Sequence, residues 1–395
     1  MIRKIKDYDF TLMITPVFLT AFGIVMIYSA SMVLAVVEGY ESSHYLVKQI
    51  QWFVLAMGAF AITSIFPYKN YQKLIKLIVL VIVILLVGVL LFGSTINNAR
   101  SWFNFGPVSL QPAEFAKLGL IIYLASVYSK KQSYINEFYR GVLPPLVLTA
   151  VILGLIVLQP DIGTAAIIFL IACSVILSSG INFKHLLLLG SLGALLVLFT
   201  IPSMITDERI SRFAGAYQPF EDPADDGYHL IQSYLAIGAG GLNGEGLGQG
   251  IQKLGYLLEP HTDFIMAVIA EELGFIGVII VVGMLAVIVL RGLFIARKCP
   301  DSFGSLLAIG ISAMVGIQAF INLGAISGML PITGVPLPFV SYGGSSLLVM
   351  MMGMGILNNI AKSVRKTEQE PVPVSEDKKS GNNHVSTGGG KVWVK

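Results

Sequence analysis

Apolar residues run through this chain in blocks, and polar residues collect in the gaps between them. Blocks close to the roughly 20 residues that a helix needs to cross a bilayer occupy 10–34, 49–66, 74–93, 113–128, 143–158, 161–179, 186–202, 264–290, 304–326 and 342–361. Most gaps are short, and the one between the fifth and sixth blocks is only Gln159-Pro160-Asp161. The pattern predicts an all-α, polytopic membrane fold of about ten helices over residues 1–361, packed as antiparallel neighbours. A long external loop, 203–263, is expected between helices seven and eight. The first block is too long for the apolar core of a signal peptide and is expected to remain as the first helix. From Lys362 onward the chain is polar, and the tail 362–395 is expected to be disordered and cytoplasmic. No internal repeat is visible, which argues against the inverted-repeat transporters.

Composition sharpens this picture. Apolar residues make up 55% and charged residues 12% of the chain, against about 25% charged in soluble domains. So few charges exclude a set of water-soluble domains. The net charge of +3, without a basic stripe, points away from nucleic acid. Cys173 and Cys299 offer neither metal-ligand spacing nor a disulfide framework. The basic residues are distributed unevenly: with the N-terminus inside, 19 of the 26 Lys and Arg fall in inside segments and 5 in outside ones. By the positive-inside rule both termini are expected in the cytoplasm.

The chemistry is expected on the outside. The segment 203–263 carries nine acidic residues against three basic ones, and contains an apolar stretch, Tyr228–Ile237, then a glycine-dense run from Gly238 to Gly250. It ends in Glu259-Pro260-His261-Thr262-Asp263, at the start of the eighth helix. Asp263 reads equally well as a helix N-cap and as a general base or divalent-cation ligand. A helix N-terminus favours its ionised form, while desolvation opposes it. Ionisable groups within spans are functional candidates by default. Glu114 and Lys117 share a face of the fourth helix, Asp161 opens the sixth, and Glu271 and Glu272 lie two turns into the eighth. Lys117 reads as a structural ion-pair partner of Glu114 or Asp161, or, with Arg100, as a contact for an anionic head group. Trp102 reads as an interface anchor. Three prolines and three glycines between Pro331 and Gly344 predict a stiff, non-helical cavity wall.

These motifs together resemble the SEDS family (shape, elongation, division and sporulation) of FtsW, RodA and SpoVE proteins. The matching stretches are Ala99-Arg-Ser-Trp102 with Gly106-Pro107, Gln111-Pro-Ala-Glu114-Phe-Ala-Lys117, Gln159-Pro-Asp-Ile-Gly163-Thr, Gly227-Tyr-His-Leu-Ile-Gln-Ser233, Gly240-Gly-Leu with Gly246-Leu-Gly248, Glu259-Pro-His-Thr-Asp263-Phe and Gly334-Val-Pro-Leu-Pro-Phe-Val-Ser-Tyr-Gly-Gly344. They fall in order and leave only the tail uncovered. The family's usual proline before the glutamate is replaced, since Leu257-Leu258 precedes Glu259. The 227–233 wording and Asp222-Pro223 resemble the division branch, FtsW, more than the elongation branch.

The resemblance implies a peptidoglycan glycosyltransferase that polymerises lipid II on the outer face of the bacterial cytoplasmic membrane. It implies Asp263 as the catalytic carboxylate, with Mg²⁺ or Mn²⁺ as a possible cofactor on it. Arg100, Trp102, Gln111, Glu114, Lys117, Asp161, His229, Glu259, His261 and Ser341 become the candidate substrate-binding residues. A class B penicillin-binding protein (a transpeptidase) and other divisome or elongasome membrane proteins become the expected partners. A lipid II flippase and a non-catalytic scaffold are the competing readings. A flippase needs no base on one side and should show polar groups at midplane. A scaffold would not gather ionisable groups around one external cavity.

Overall fold

The computed structural model describes residues 7–96, 99–106, 108–132, 137–182, 207–225 and 227–369, together with 184, 187 and 190. Three long helices come first: α1 (Phe10–Val37), α2 (His44–Ile65) and α3 (Lys69–Phe92). A small antiparallel sheet follows, with β1 (Ser94–Ile96), β2 (Ala99–Phe105) and β3 (Val108–Leu110) in that spatial order. Next come α4 (Pro112–Lys130), a π-helical turn (Phe138–Val142) leading into α5 (Leu143–Val157), and α6 (Ile162–Ser178). Then follow α7 (Asp207–Tyr217), α8 (Tyr228–Gly240), α9 (Ile265–Lys298), α10 (Ser302–Ile326) and α11 (Gly344–Gln369).

Among the described residues seven helices are long and apolar enough to cross a membrane: α1, α2, α3, the π-turn with α5, α9, α10 and α11; α6 is a shorter apolar helix. The expected seventh block, 186–202, lies almost wholly outside the described residues. The fourth block forms α4, a helix buried along nearly its whole length. This central position is what allows α4 to carry Glu114 and Lys117, because charged groups in a span face protein rather than lipid. Helices α10 and α11 are also central, whereas α3 is largely exposed.

The expected helical fold is present, and it also carries the small β1–β3 sheet, with a tight turn between β2 and β3 at Gly106, where φ is +71°. The segment expected as one long loop contains α7 and α8. And α11 runs on to Gln369, beyond the boundary drawn at 361; residues 370–395 of the expected tail lie outside the described residues.

Asp9 brings the first and last helices together at one end of the bundle. It caps α1 by accepting from the Thr11 and Leu12 amides, and pairs with Arg291 of α9 at 2.8 Å and Arg365 of α11 at 3.3 Å. The start of α1 and the end of α11 therefore share one end of the bundle. Asp263 stands at the opposite end of α9.

Candidate active site

The rigid Pro331–Gly343 segment is the element on which the site is assembled. Prolines 331, 336 and 338 deny it amide donors, so neighbouring side chains must hold its carbonyls. Gln318 and Asn322, one turn apart on α10, do this. Gln318 donates from Nε2 to the Pro336 carbonyl (3.0 Å) and to Ser346 Oγ (3.3 Å). Asn322 donates from Nδ2 to the Val335 carbonyl and to the Asp263 carbonyl, both at 2.8 Å. Within the segment, Ser341 Oγ accepts from the Leu337 amide at 2.8 Å. Ser341 is therefore a turn-holder, not an exposed contact.

Asp263 is half-buried where this segment meets the end of the loop. The N-cap position of α9 is Phe264, one residue beyond Asp263. Its carboxylate faces Gly334: a Cβ built on that glycine would lie 3.6 Å from Asp263 Oδ2. Gly334 has φ +69°, a conformation that glycine adopts without strain. The N-terminal, positive end of the α9 dipole adjoins Asp263.

Residues before Asp263 are tightly held. Glu259 has a left-handed backbone, φ +52°, stabilised by Thr262, which donates from Oγ1 to the Glu259 carboxylate at 2.8 Å and to its carbonyl at 3.1 Å. His261 is buried at 4% exposure, and its carbonyl accepts from the Tyr342 amide at 2.9 Å. Its Nδ1 is buried without a hydrogen-bond partner. Burial pushes the imidazole down to about 4, with Glu38 opposing, so His261 is neutral at physiological pH. His229 of α8 has its ring 6.4 Å from that of Phe264. Its Nδ1 is likewise buried and unpartnered, and burial lowers its basicity.

The remaining candidates divide into two sets. Gln111 donates to Asp161 Oδ2 at 3.1 Å, and Asp161 caps α6 by accepting from the Thr164 amide at 3.1 Å. Both lie beside the proline-rich segment, because Gly163 closely approaches the Thr333 carbonyl. Lys117 pairs with Glu114 at 2.8 Å and donates to Gln318 Oε1 at 2.7 Å, with its side chain only 1% exposed. The ion-pair alternative for Lys117 is the one found. A lysine so enclosed reaches substrate only through Gln318 and the segment above it. Arg100 stands apart: its Nε donates to the Gly93 carbonyl (2.8 Å) and its NH2 to the Leu91 carbonyl (3.0 Å). It satisfies the carbonyls at the end of α3, where a cation is also favoured by the helix dipole. Trp102 lies across from Ser94 in the sheet.

The glycine-dense loop contains a buried cluster that sequence reasoning had not joined. Lys253 pairs with Glu272 of α9 and donates to Ser29 of α1 at 2.8 Å; both charged side chains are at most 1% exposed. Glu272 also accepts from the Gly248 amide at 3.0 Å. Glu271 accepts from the Ile251 and Gln252 amides at 2.7 and 3.1 Å. These acids fold the loop onto α9, which breaks at Gly274 with φ +65° and ψ −163°. A Cβ there would overlap the Leu242 carbonyl. The only advance signal was two adjacent glutamates inside an apolar helix.

Comparison with known proteins now decides the family. Residues 10–366 match the family described as cell cycle protein, FtsW/RodA/SpoVE. The chain belongs to this family. It is 49% identical over 381 residues to the probable peptidoglycan glycosyltransferase FtsW of Bacillus subtilis (strain 168), covering 94% of each chain. It is 38% identical over 370 residues to stage V sporulation protein E of the same organism, covering 92% of this chain and all of the relative. Among solved structures, the rod shape determining protein RodA of Thermus thermophilus aligns with a TM-score of 0.67 at 28% identity, over 90% of this chain and 97% of that one. A chain from a peptidoglycan synthase complex, studied for how polymerisation and crosslinking are coordinated, aligns at 0.74 and 29% identity, over 90% and 98%.

A divalent cation at Asp263 fits only as a site completed by substrate. Among the described residues no group of three or more His, Cys, Asp or Glu gathers to hold a metal, and the Glu259 carboxylate is engaged by Thr262. Mg²⁺ commonly uses one or two carboxylates with substrate phosphates, and Asp263 can supply one.

Proposed function

We propose that this protein is a peptidoglycan glycosyltransferase that polymerises lipid II into glycan strands at the outer face of the bacterial cytoplasmic membrane, in septal synthesis during division. The observation that carries the reading is Asp263: a carboxylate at the bundle's end, fixed through its backbone to Asn322 and facing Gly334, in a chain 49% identical to a probable peptidoglycan glycosyltransferase FtsW. A class B penicillin-binding protein is the proposed partner, supported by the likeness to a chain from a peptidoglycan synthase complex.

In this reaction the C4 hydroxyl of an acceptor GlcNAc attacks the anomeric carbon of a lipid-linked donor. The new C–O bond forms as the bond to the pyrophosphate oxygen breaks, and the lipid pyrophosphate leaves with the electron pair. Asp263 takes the hydroxyl proton, a role worth about 10²–10⁴-fold when the base is positioned. Asn322, through the Asp263 backbone carbonyl, fixes the residue that carries the base. A bound divalent cation would neutralise charge on the pyrophosphate. His261, neutral and enclosed, neither competes for the proton nor adds charge. The printed description of the relative at 49% identity, a probable peptidoglycan glycosyltransferase, favours the catalytic reading over a flippase.

The test is lipid II polymerisation by the purified protein in liposomes, with a cognate penicillin-binding protein whose active-site serine is mutated. Wild type is expected to give glycan polymer and Asp263→Ala none. Polymer from both would remove Asp263 from the mechanism, and lipid II scrambling without polymer would establish the flippase.

A further inference from the structure

Five aromatic rings form a continuous ladder from the surface to the residue two positions before Asp263. Tyr40 stacks on His44 with centroids 4.1 Å apart and planes 11° apart. His44 meets Tyr45 edge-on at 5.3 Å. Tyr45 contacts His261 at 4.5 Å and Tyr342 at 5.3 Å, and His261 and Tyr342 are themselves 5.3 Å apart. The rungs come from three separate parts of the chain: the α1–α2 connection with the start of α2, the loop end, and the proline-rich segment.

The outermost rung is exposed yet fixed. Tyr40 is 51% exposed. Its amide donates to the Ala35 carbonyl at 2.8 Å, and the Gly39 amide donates to the Val36 carbonyl at 3.0 Å, with Gly39 at φ +83°. These are the two bonds of a Schellman motif, which sets the residue after the glycine rigidly. His44 backs one face of the Tyr40 ring and leaves the other open. The next rung is also locked, because the Tyr45 hydroxyl donates to the Glu38 carboxylate. Glu38 and Glu41, both exposed, lie two positions before and one position after Tyr40 in the chain.

A rigid, open aromatic face with carboxylates close by in the chain suits a ligand with an apolar C–H face and a rim of hydroxyls. That is the chemistry of a hexopyranose ring, whose C–H face packs on an aromatic ring while its hydroxyls donate to acceptors. A lipid chain would gain nothing from the carboxylates. We propose that Tyr40, backed by His44 and flanked in the chain by Glu38 and Glu41, is a sugar-binding subsite that holds a ring of the glycan strand on its way to or from Asp263. It rests on the glycosyltransferase reading only for the identity of the strand. Preorganised aromatic surface binds with little ordering cost, so one rung can steady a strand between successive additions.

The experiment uses the full chain in lipid nanodiscs and a β-1,4-linked GlcNAc hexasaccharide as probe, read by saturation-transfer NMR. Wild type and Tyr40→Trp are expected to bind, and Tyr40→Ala to bind about tenfold more weakly. In the polymerisation assay Tyr40→Ala is expected to give shorter glycans. Equal hexasaccharide binding by wild type and Tyr40→Ala, or none by wild type, would overturn the subsite. Tyr40-dependent binding by a protein that makes no polymer would sustain the subsite and overturn the glycosyltransferase reading. Polymerisation with Tyr40-independent binding would do the reverse.

Discussion

The side-chain amide of Asn322 holds the backbone carbonyl of Asp263 at 2.8 Å and, with its second hydrogen, the carbonyl of Val335 at the same distance. One buried NH₂ group thus registers the carboxylate-bearing loop against the proline-rich segment. Removing it orphans two carbonyls, each at about 1–3 kcal/mol, and releases the positional constraint on Asp263. A misplacement of about 1 Å costs on the order of 100-fold in rate. Asn322→Ala is therefore expected to slow polymerisation about 10- to 100-fold, mainly in kcat, in lipid II titrations of initial rate.

The Lys253–Glu272 pair gives a stability prediction. Removing one partner of a buried ion pair typically costs about 3–5 kcal/mol. Lys253→Met is expected to lower the thermal unfolding midpoint in detergent sharply, and Lys253→Met with Glu272→Gln to recover much of the loss. Equal midpoints for wild type and Lys253→Met would show that the pair does not anchor the loop.

Gly274 is where α9 yields to the loop. Alanine there must adopt a left-handed backbone, at about 1–3 kcal/mol, and its Cβ would displace Leu242. Gly274→Ala is expected to loosen residues 241–262, and limited proteolysis should cut that stretch about tenfold faster than in wild type.

His261 ties stability to pH. In the unfolded chain its imidazole titrates near 6.5, while burial holds the folded group near 4. Between these values the unfolded state binds a proton that the native state refuses, so stability falls as pH drops from 6.5 to 4. The full effect is roughly 3 kcal/mol. Above 6.5 His261 contributes no slope. Unfolding midpoints across pH 4–8 are expected to show this loss in wild type and much less of it in His261→Phe.

Much of the bundle was legible because its signals are local. Lipid-length apolar runs and helix-opening residues such as Asp161 act within a turn or two of sequence, and the three-residue spacing of Glu114 and Lys117 places them together on any helix. Asn322 and Gln318 gave no such signal. They are ordinary amides in an apolar helix, and their role exists only because prolines 331–338 leave carbonyls unmatched across space. Lys253 was read as one more charge of an acidic loop, since its partners lie 19 and 224 residues away. The broken α9 was missed because Gly274 is also an unremarkable helix residue until the loop closes on it.

The most direct test of Asp263 separates binding from chemistry. Asp263→Asn keeps the shape and the Asn322 contact but removes the base. Lipid II binding and single-turnover polymer formation would be measured on the same liposome preparations of wild type and variant. The expected result is lipid II affinity within about twofold of wild type with polymer formation reduced at least about 100-fold. Wild-type polymer formation by the Asp263→Asn protein would contradict the assignment of Asp263 as the base.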